Sequence, residues 1–300
     1  MDVITVHHFS LTASATYFPV WQKKRAGIPH SANGDVVAAI AGAAVEAAEM
    51  PLSNILTRSV LGGVFVGLGG ALSASVGGDV PALMATDPGL QRLLFGAIGY
   101  PLSIFLVTTL GALAFTGVIV GVGAAWFTPL ATGGRAMLSL KDGVRVMGTV
   151  LGGNVVGLMA FSALIVAGGM DAVQPCVQIA VHKAAETAPQ LVARGVGGGL
   201  LVGMAVAQAF AARSGTEKFI GIWMCISTYV ACGWAHGLAD LFYFPVALMS
   251  GAGAGGITWE SFALVSLPPV LAGNMCGALG LAAALVAIHT KKATGKGGRR

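Results

Sequence analysis

The stretch CGWAHGLADLFY, residues 232–243, decides the fold. It lies within 219–259, an apolar run in which Asp240 is the sole Asp, Glu, Lys or Arg. A transmembrane helix needs about 20 apolar residues, so the run is about twice as long as one straight crossing requires. It is either two crossings or one crossing through an interrupted helix. The second reading puts His236 and Asp240 where a helix breaks inside the membrane.

The distribution of charge chooses between them. Of 300 residues, 55% are hydrophobic and 10% charged, against about 25% charged in a soluble domain. Uncharged runs cover 59–78, 93–134, 146–170, 195–212 and 261–290, and only 93–134 shares the double length of 219–259. With six crossings and an inner N-terminus, one side holds Lys23, Lys24, Arg25, Arg58, Arg135, Lys141, Arg145, Arg213, Lys218 and the tail KKATGKGGRR at 291–300. The other side keeps Arg92, Lys183 and Arg194. Basic residues gather on the cytosolic side of short loops, and splitting either long run would move whole clusters to the wrong face. The net charge of +5 therefore marks an inner side facing anionic lipid, not a nucleic-acid surface. The segment 1–34 has one acidic residue, Asp2, with several Ser and Thr ahead of KKR, a weak organelle-targeting signal.

The expected fold is all-α, a membrane protein of six transmembrane helices in a short–long–short pattern that occurs twice, the second and fifth helices broken. A sequence echo supports it: LGGNVVG at 151–157 and LAGNMCG at 271–277 agree at four of seven positions. Two halves of three crossings each must be inverted relative to one another, as in many transporters. The offset that relates Asn154 to Asn274 also relates Thr116 to His236, which predicts that these two are equivalent across the repeat. Irregular backbone at membrane depth is tolerated only in a protein-lined or water-lined setting, so 113–118 and 233–240 are the expected functional centre.

Within that centre, an intramembrane His236 is a functional candidate, set against a structural histidine bonded to a backbone carbonyl. Thr116 is either its polar counterpart or a threonine bonded back to its own helix. Asp240, at i+4 from His236, shares its face and can pair with the histidine, cap a half-helix or face a water-filled vestibule. Gly153, Asn154 and Gly157, with Gly273 and Gly277, read as helix-packing motifs, Asn154 as an interhelical hydrogen-bonding residue. Gly195, Gly199 and Gly203 form a small-xxx-small ladder. Trp126, Trp223 and Trp259 read as interfacial belt residues. The four cysteines form no CxxC or zinc spacing, and GLGG, GVGAA and TGKGG lack a strand–turn–helix setting. Nothing implies an enzyme, a metal or a cofactor.

The chain resembles the formate/nitrite transporter family over about 46–290. The resemblance rests on AFTG at 114–117, GGNVVG at 152–157, GWAHGLAD at 233–240 followed by FPVALM, and LPPVLAGNMCG at 267–277. The loop SVGGDVPALMATDPGLQRLLF at 75–95 is similar to green-algal plastid members associated with nitrite or bicarbonate movement. The resemblance implies an aquaporin-like protomer, a homopentamer with one pore per protomer, and small monovalent anions of weak acids as substrates. It assigns His236 as the central histidine, Thr116 as its contact and Asn274 as a pore residue. Tyr100, Ile104, Ala114 and Tyr229 stand at its apolar constrictions, and Gly199 stands where the fourth span has a pore asparagine. Other departures are Glu46 for lysine, Leu113 for an acidic residue, Val118 for asparagine, Ala235 for glutamate and Asp240 for asparagine. Glu46 and Asp240 make the local potential less favourable for anions.

The resulting expectation is a channel or transporter for formate-, nitrite- or bicarbonate-like anions, proton-coupled through His236, in a plasma or organelle membrane, with both termini on the cytosol-like side. The alternative is a transport-impaired structural subunit of a larger membrane assembly. The expected boundaries are an N-terminal extension with an amphipathic helix at 1–53, the channel domain at 54–290 and the basic tail at 291–300.

Overall fold

The computed structural model describes residues 33–251 and 255–295. The basic cluster at 23–25, the rest of the segment 1–32 and the tail residues 296–300 lie outside them. The first helix, α1 (Asn33–Glu49), buries Val37, Ile40, Ala41, Ala44 and Ala47. That spacing is one apolar stripe of an amphipathic helix. Its partner is α6 (Phe115–Thr132), where Gly121 lets the Ile40 carbonyl and Ala44 approach. Glu46 is on the exposed side.

Six crossings follow. After Pro51 the chain enters α2 (Leu52–Ser73), which ends in a π turn at Ala74–Gly78. Two short helices, α3 (Pro81–Thr86) and α4 (Pro88–Ile98), each begin at a proline, whose fixed φ and missing N–H suit a first turn. α4 leads into α5 (Tyr100–Leu110), which stops at Gly111 with φ 73°. Pro88–Leu110 alone is long enough to cross a membrane, but it ends opposite the middle of α2. Phe95 meets Gly77 at the far end of α2, whereas Leu113 meets Gly62, well short of Leu52. The second crossing is completed by α6, which leaves α2 and packs on α1 and the last helix. The third is α7 (Leu140–Ala167), N-capped by Ser139, which accepts from the Asp142 N–H.

The second half repeats this order. A surface helix, α8 (Val173–Ala184), leads to α9 (Ala188–Ala211), whose Thr187–Gln190 capping box closes its N-terminus. α10 (Gly215–Ala231) ends at a break in which Gly233 has φ 76°, and α11 (Gly237–Met249) resumes the crossing. A single turn at Trp259–Ser261 and a π turn at Phe262–Ser266 precede α12 (Leu267–Gly295). Both double-length runs are thus single broken crossings. Within each half the first and third helices are paired, α2 with α7 and α9 with α12.

Glycine sets those two helix pairings. A Cβ on Gly157 would stand 2.0 Å from the Val60 carbonyl oxygen, and one on Gly277 would stand 2.1 Å from that of Val196. Gly153 and Gly273 do the same a turn earlier, against Ser59 and Val192. The tryptophans depart from a uniform interfacial belt. Trp259 is 44% exposed, but Trp126 lies beneath Gly143 and Trp223 donates its indole N–H to the Ala97 carbonyl at 3.0 Å. Both are tied into helix contacts by partners far away in the chain.

Candidate permeation site

The two breaks are built alike, from matching residues of the two halves. In the first, the Leu113 N–H donates to the Arg58 carbonyl at 3.0 Å; in the second, Ala235 N–H donates to the Arg194 carbonyl at 3.1 Å. Each unwound stretch of backbone is then clamped by an asparagine. Asn154 Nδ2 donates to the Ser59 and Leu113 carbonyls at 2.6 and 2.8 Å, and its Oδ1 accepts from the Phe115 N–H at 2.9 Å. Asn274 Nδ2 donates to the Gly195 and Ala235 carbonyls at 2.7 and 3.0 Å, and its Oδ1 accepts from Gly237 N–H at 2.8 Å. An unwound segment in an apolar interior must have its polar groups satisfied, and these two amides do it.

This arrangement corrects the internal register. Phe115 and Gly237 occupy the same place, so His236 corresponds to Ala114, not to Thr116 as the constant offset predicts. Ala114 and His236 are the extended residues that open α6 and α11, with φ/ψ of −117°/137° and −139°/123°. The offset is 120 residues at the asparagines and 122 at the breaks, so a spacing taken from one motif misses the other by two. Asn274 is therefore held the way Asn154 is, by backbone. Gly199 packs its α-carbon against Asn274, where a Cβ would be 2.2 Å from the Asn274 carbonyl oxygen.

Thr116, in the first turn of α6, reaches across to the other break. Its Oγ1 and His236 Nε2 share a hydrogen bond of 2.7 Å. Either the hydroxyl donates to a bare Nε2, or an Nε2–H donates to the hydroxyl; a protonated ring requires the second. Both residues are buried, Thr116 at 1% and His236 at 5% exposure. This is the polar link between the two inverted halves at the level of both breaks.

Asp240 does not pair with the histidine. Its carboxylate meets Lys183 Nζ of α8 at 2.8 Å, and its backbone N–H donates to the His236 carbonyl at 3.1 Å. The carboxylate also lies in the first turn of α11, where the helix dipole favours negative charge. Close by on the same connection, Glu186 pairs with Arg194. The negative charge at 240 is thus matched locally, and the sequence offers no signal for it, because Lys183 looks like any lysine of an extramembrane loop. At the first break Arg58 Nη1 donates to the Gly111 carbonyl at 3.3 Å and caps the end of α5.

The constriction candidates Tyr100, Ile104, Ala114 and Tyr229 are all buried. Tyr100 and Tyr229 meet edge-on at 6.3 Å between ring centroids, and Tyr229 meets the His236 ring at 5.9 Å. Tyr243, one turn beyond Asp240, joins them at 6.1 Å from Tyr100. Nothing in the sequence pattern separates Tyr243 from the aromatic packing around it. Gly99 allows α5 to approach α2, and Tyr100 N–H donates to Ser73 Oγ at 3.1 Å, which fixes where the ring enters.

Comparison with known proteins places these features in context. A family profile described as "Formate/nitrite transporter" matches residues 34–288. The chain is 30% identical over 250 residues to the "Uncharacterized transporter YrhG" of Bacillus subtilis (strain 168), covering 79% of this chain and 87% of that protein. It is also 30% identical to the "Probable formate transporter" of Methanothermobacter thermautotrophicus, over 76% of this chain and 85% of that one. A solved structure, "Pentameric formate channel with formate bound", superposes with a TM-score of 0.67 at 22% identity, covering 79% of this chain and 98% of that chain.

Proposed function

The chain belongs to the formate/nitrite transporter family, a multi-pass membrane protein and not an enzyme, and on that premise we propose that it moves small monovalent weak acids of the formate, nitrite and bicarbonate class past His236. The observation that supports this reading is the 2.7 Å hydrogen bond between Thr116 and His236, buried where the two broken helices meet. An anion stripped of water in such apolar surroundings carries a penalty on the order of several kcal/mol or more. A proton from the imidazolium removes it: the N–H bond of His236 breaks as the acid O–H bond forms, and the neutral acid passes. The imidazole then takes a proton from water on the side of arrival of the next anion. The proton given up is the one on Nδ1, so Nε2–H goes on donating to the Thr116 hydroxyl and the ring stays oriented in both states.

The pentameric formate channel of like fold supports five protomers, each with its own path. The excess of Lys and Arg supports both termini on the cytosol-like side. A second reading, a structural subunit of a larger membrane assembly, draws support from the closure of the centre, since Tyr100, Tyr229 and His236 are 4%, 4% and 5% exposed. Proteoliposomes separate the two. Labelled formate, nitrite and bicarbonate are offered outside, and an internal pH dye follows the proton. Uptake accompanied by internal acidification, lost to the protein-free background in His236→Ala, is the expected result. Uptake that His236→Ala leaves unchanged would remove the histidine from the mechanism, and no uptake of any of the three would leave the structural subunit.

A further inference from the structure

The sequence has four tyrosines and 13 phenylalanines. Every tyrosine among the described residues, Tyr100 of α5, Tyr229 of α10 and Tyr243 of α11, lies in one cluster. Exposure is 4%, 4% and 3% respectively. Tyr229 and Tyr243 stand edge-on to Tyr100, each at an interplanar angle of 75°, and the row ends on the His236 ring. Tyr243 stands three residues beyond Asp240 on α11.

Packing alone does not account for the Tyr100 hydroxyl. The Tyr100 hydroxyl is fully enclosed and makes no hydrogen bond of acceptable geometry, although the Tyr243 phenol lies beside it. Buried polar atoms without a partner are rare, and phenylalanine would fill the same volume without leaving one. A hydroxyl kept in such a place is explained by a partner that comes and goes.

We propose that the hydroxyls of Tyr100, Tyr229 and Tyr243 form a hydrogen-bonding subsite for a small oxygen acid, a carboxylic or oxo acid, next to His236. This rests on the transport reading for its role but not for its test. A phenol O–H donates to the oxygens of the anion, and the phenol oxygen accepts from the O–H of the neutral acid. The subsite therefore serves a substrate on both sides of a proton transfer, which an apolar ring of the same size cannot do. It favours oxygen acids over anions without oxygen, such as hydrosulfide or halide.

The test is binding of 13C-formate to the purified, detergent-solubilised protein, followed by line broadening of the formate signal, with chloride as the competing anion. Wild type is compared with Tyr100→Phe and with the triple Phe variant, each checked for an unchanged size-exclusion profile. Binding is expected to weaken roughly three- to tenfold in Tyr100→Phe and further in the triple variant, with chloride a poor competitor. Formate binding equal to wild type in both variants, or absent from wild type, overturns the subsite. Flux in liposomes judges the other reading separately. Hydroxyl-dependent binding without flux sinks transport and leaves the subsite, whereas flux with hydroxyl-independent binding does the reverse.

Discussion

Replacing Asn274 with leucine, which is similar in size and apolar, tests whether this residue holds the second break together. The change deletes three hydrogen bonds, to the Gly195 carbonyl, the Ala235 carbonyl and the Gly237 N–H. Interhelical hydrogen bonds in membranes average about 0.6 kcal/mol each, which sets a floor of about 2 kcal/mol. The ceiling comes from the groups left behind. The Gly195 carbonyl keeps its place in the α9 ladder, but the Ala235 carbonyl and Gly237 N–H belong to unwound backbone. Two orphaned buried groups at about 1–3 kcal/mol each give up to about 6 kcal/mol. Because Asn154 makes the matching set of bonds around Leu113 and Phe115, Asn154→Leu is expected to cost a similar amount. The assay is thermal unfolding of purified protein in detergent, followed by intrinsic fluorescence and by recovery on size exclusion. Both variants should fall by about 5 °C or more. A variant Asn274→Leu that melts with wild type while altering anion selectivity would refute the clamp and make Asn274 a pore residue after all.

Three further outcomes follow from particular contacts. Gly277→Ala places a Cβ 2.1 Å from the Val196 carbonyl oxygen and must force α9 and α12 apart, whereas Gly280→Ala meets nothing within 4 Å; size-exclusion recovery should collapse for the first and match wild type for the second. Lys183→Met leaves the Asp240 carboxylate, 3% exposed, without its partner, at a cost of about 3–5 kcal/mol; adding Asp240→Asn should restore most of the melting temperature, and failure to do so would mean the pair is not what Lys183 contributes. Thr116→Val removes the 2.7 Å bond to His236 while Thr116→Ser keeps a hydroxyl there; uptake should fall in the first and persist in the second, and equal rates in both would separate the threonine from the histidine's work.

The double-length runs, the placement of basic residues and the repeated glycine–asparagine motif are local or statistical properties of the chain, so they determined the six crossings, the two broken helices and the inverted halves. His236, Thr116 and the glycine motifs were legible for the same reason: a polar residue or a run of small ones stands out inside apolar sequence. The register between the halves was not, because loops and turns absorb the two-residue difference between 120 at the asparagines and 122 at the breaks, and only hydrogen bonds reveal which atoms correspond. Nor was the partner of Asp240, since Lys183 lies 57 positions away in the chain and its side chain reaches the carboxylate only once α8 has packed against α11. Tyr100, Tyr229 and Tyr243 come from three helices, and their meeting in one row that ends on His236 depends on how those helices pack. Contacts between residues distant in the chain depend on three-dimensional packing, and a one-dimensional pattern does not contain them.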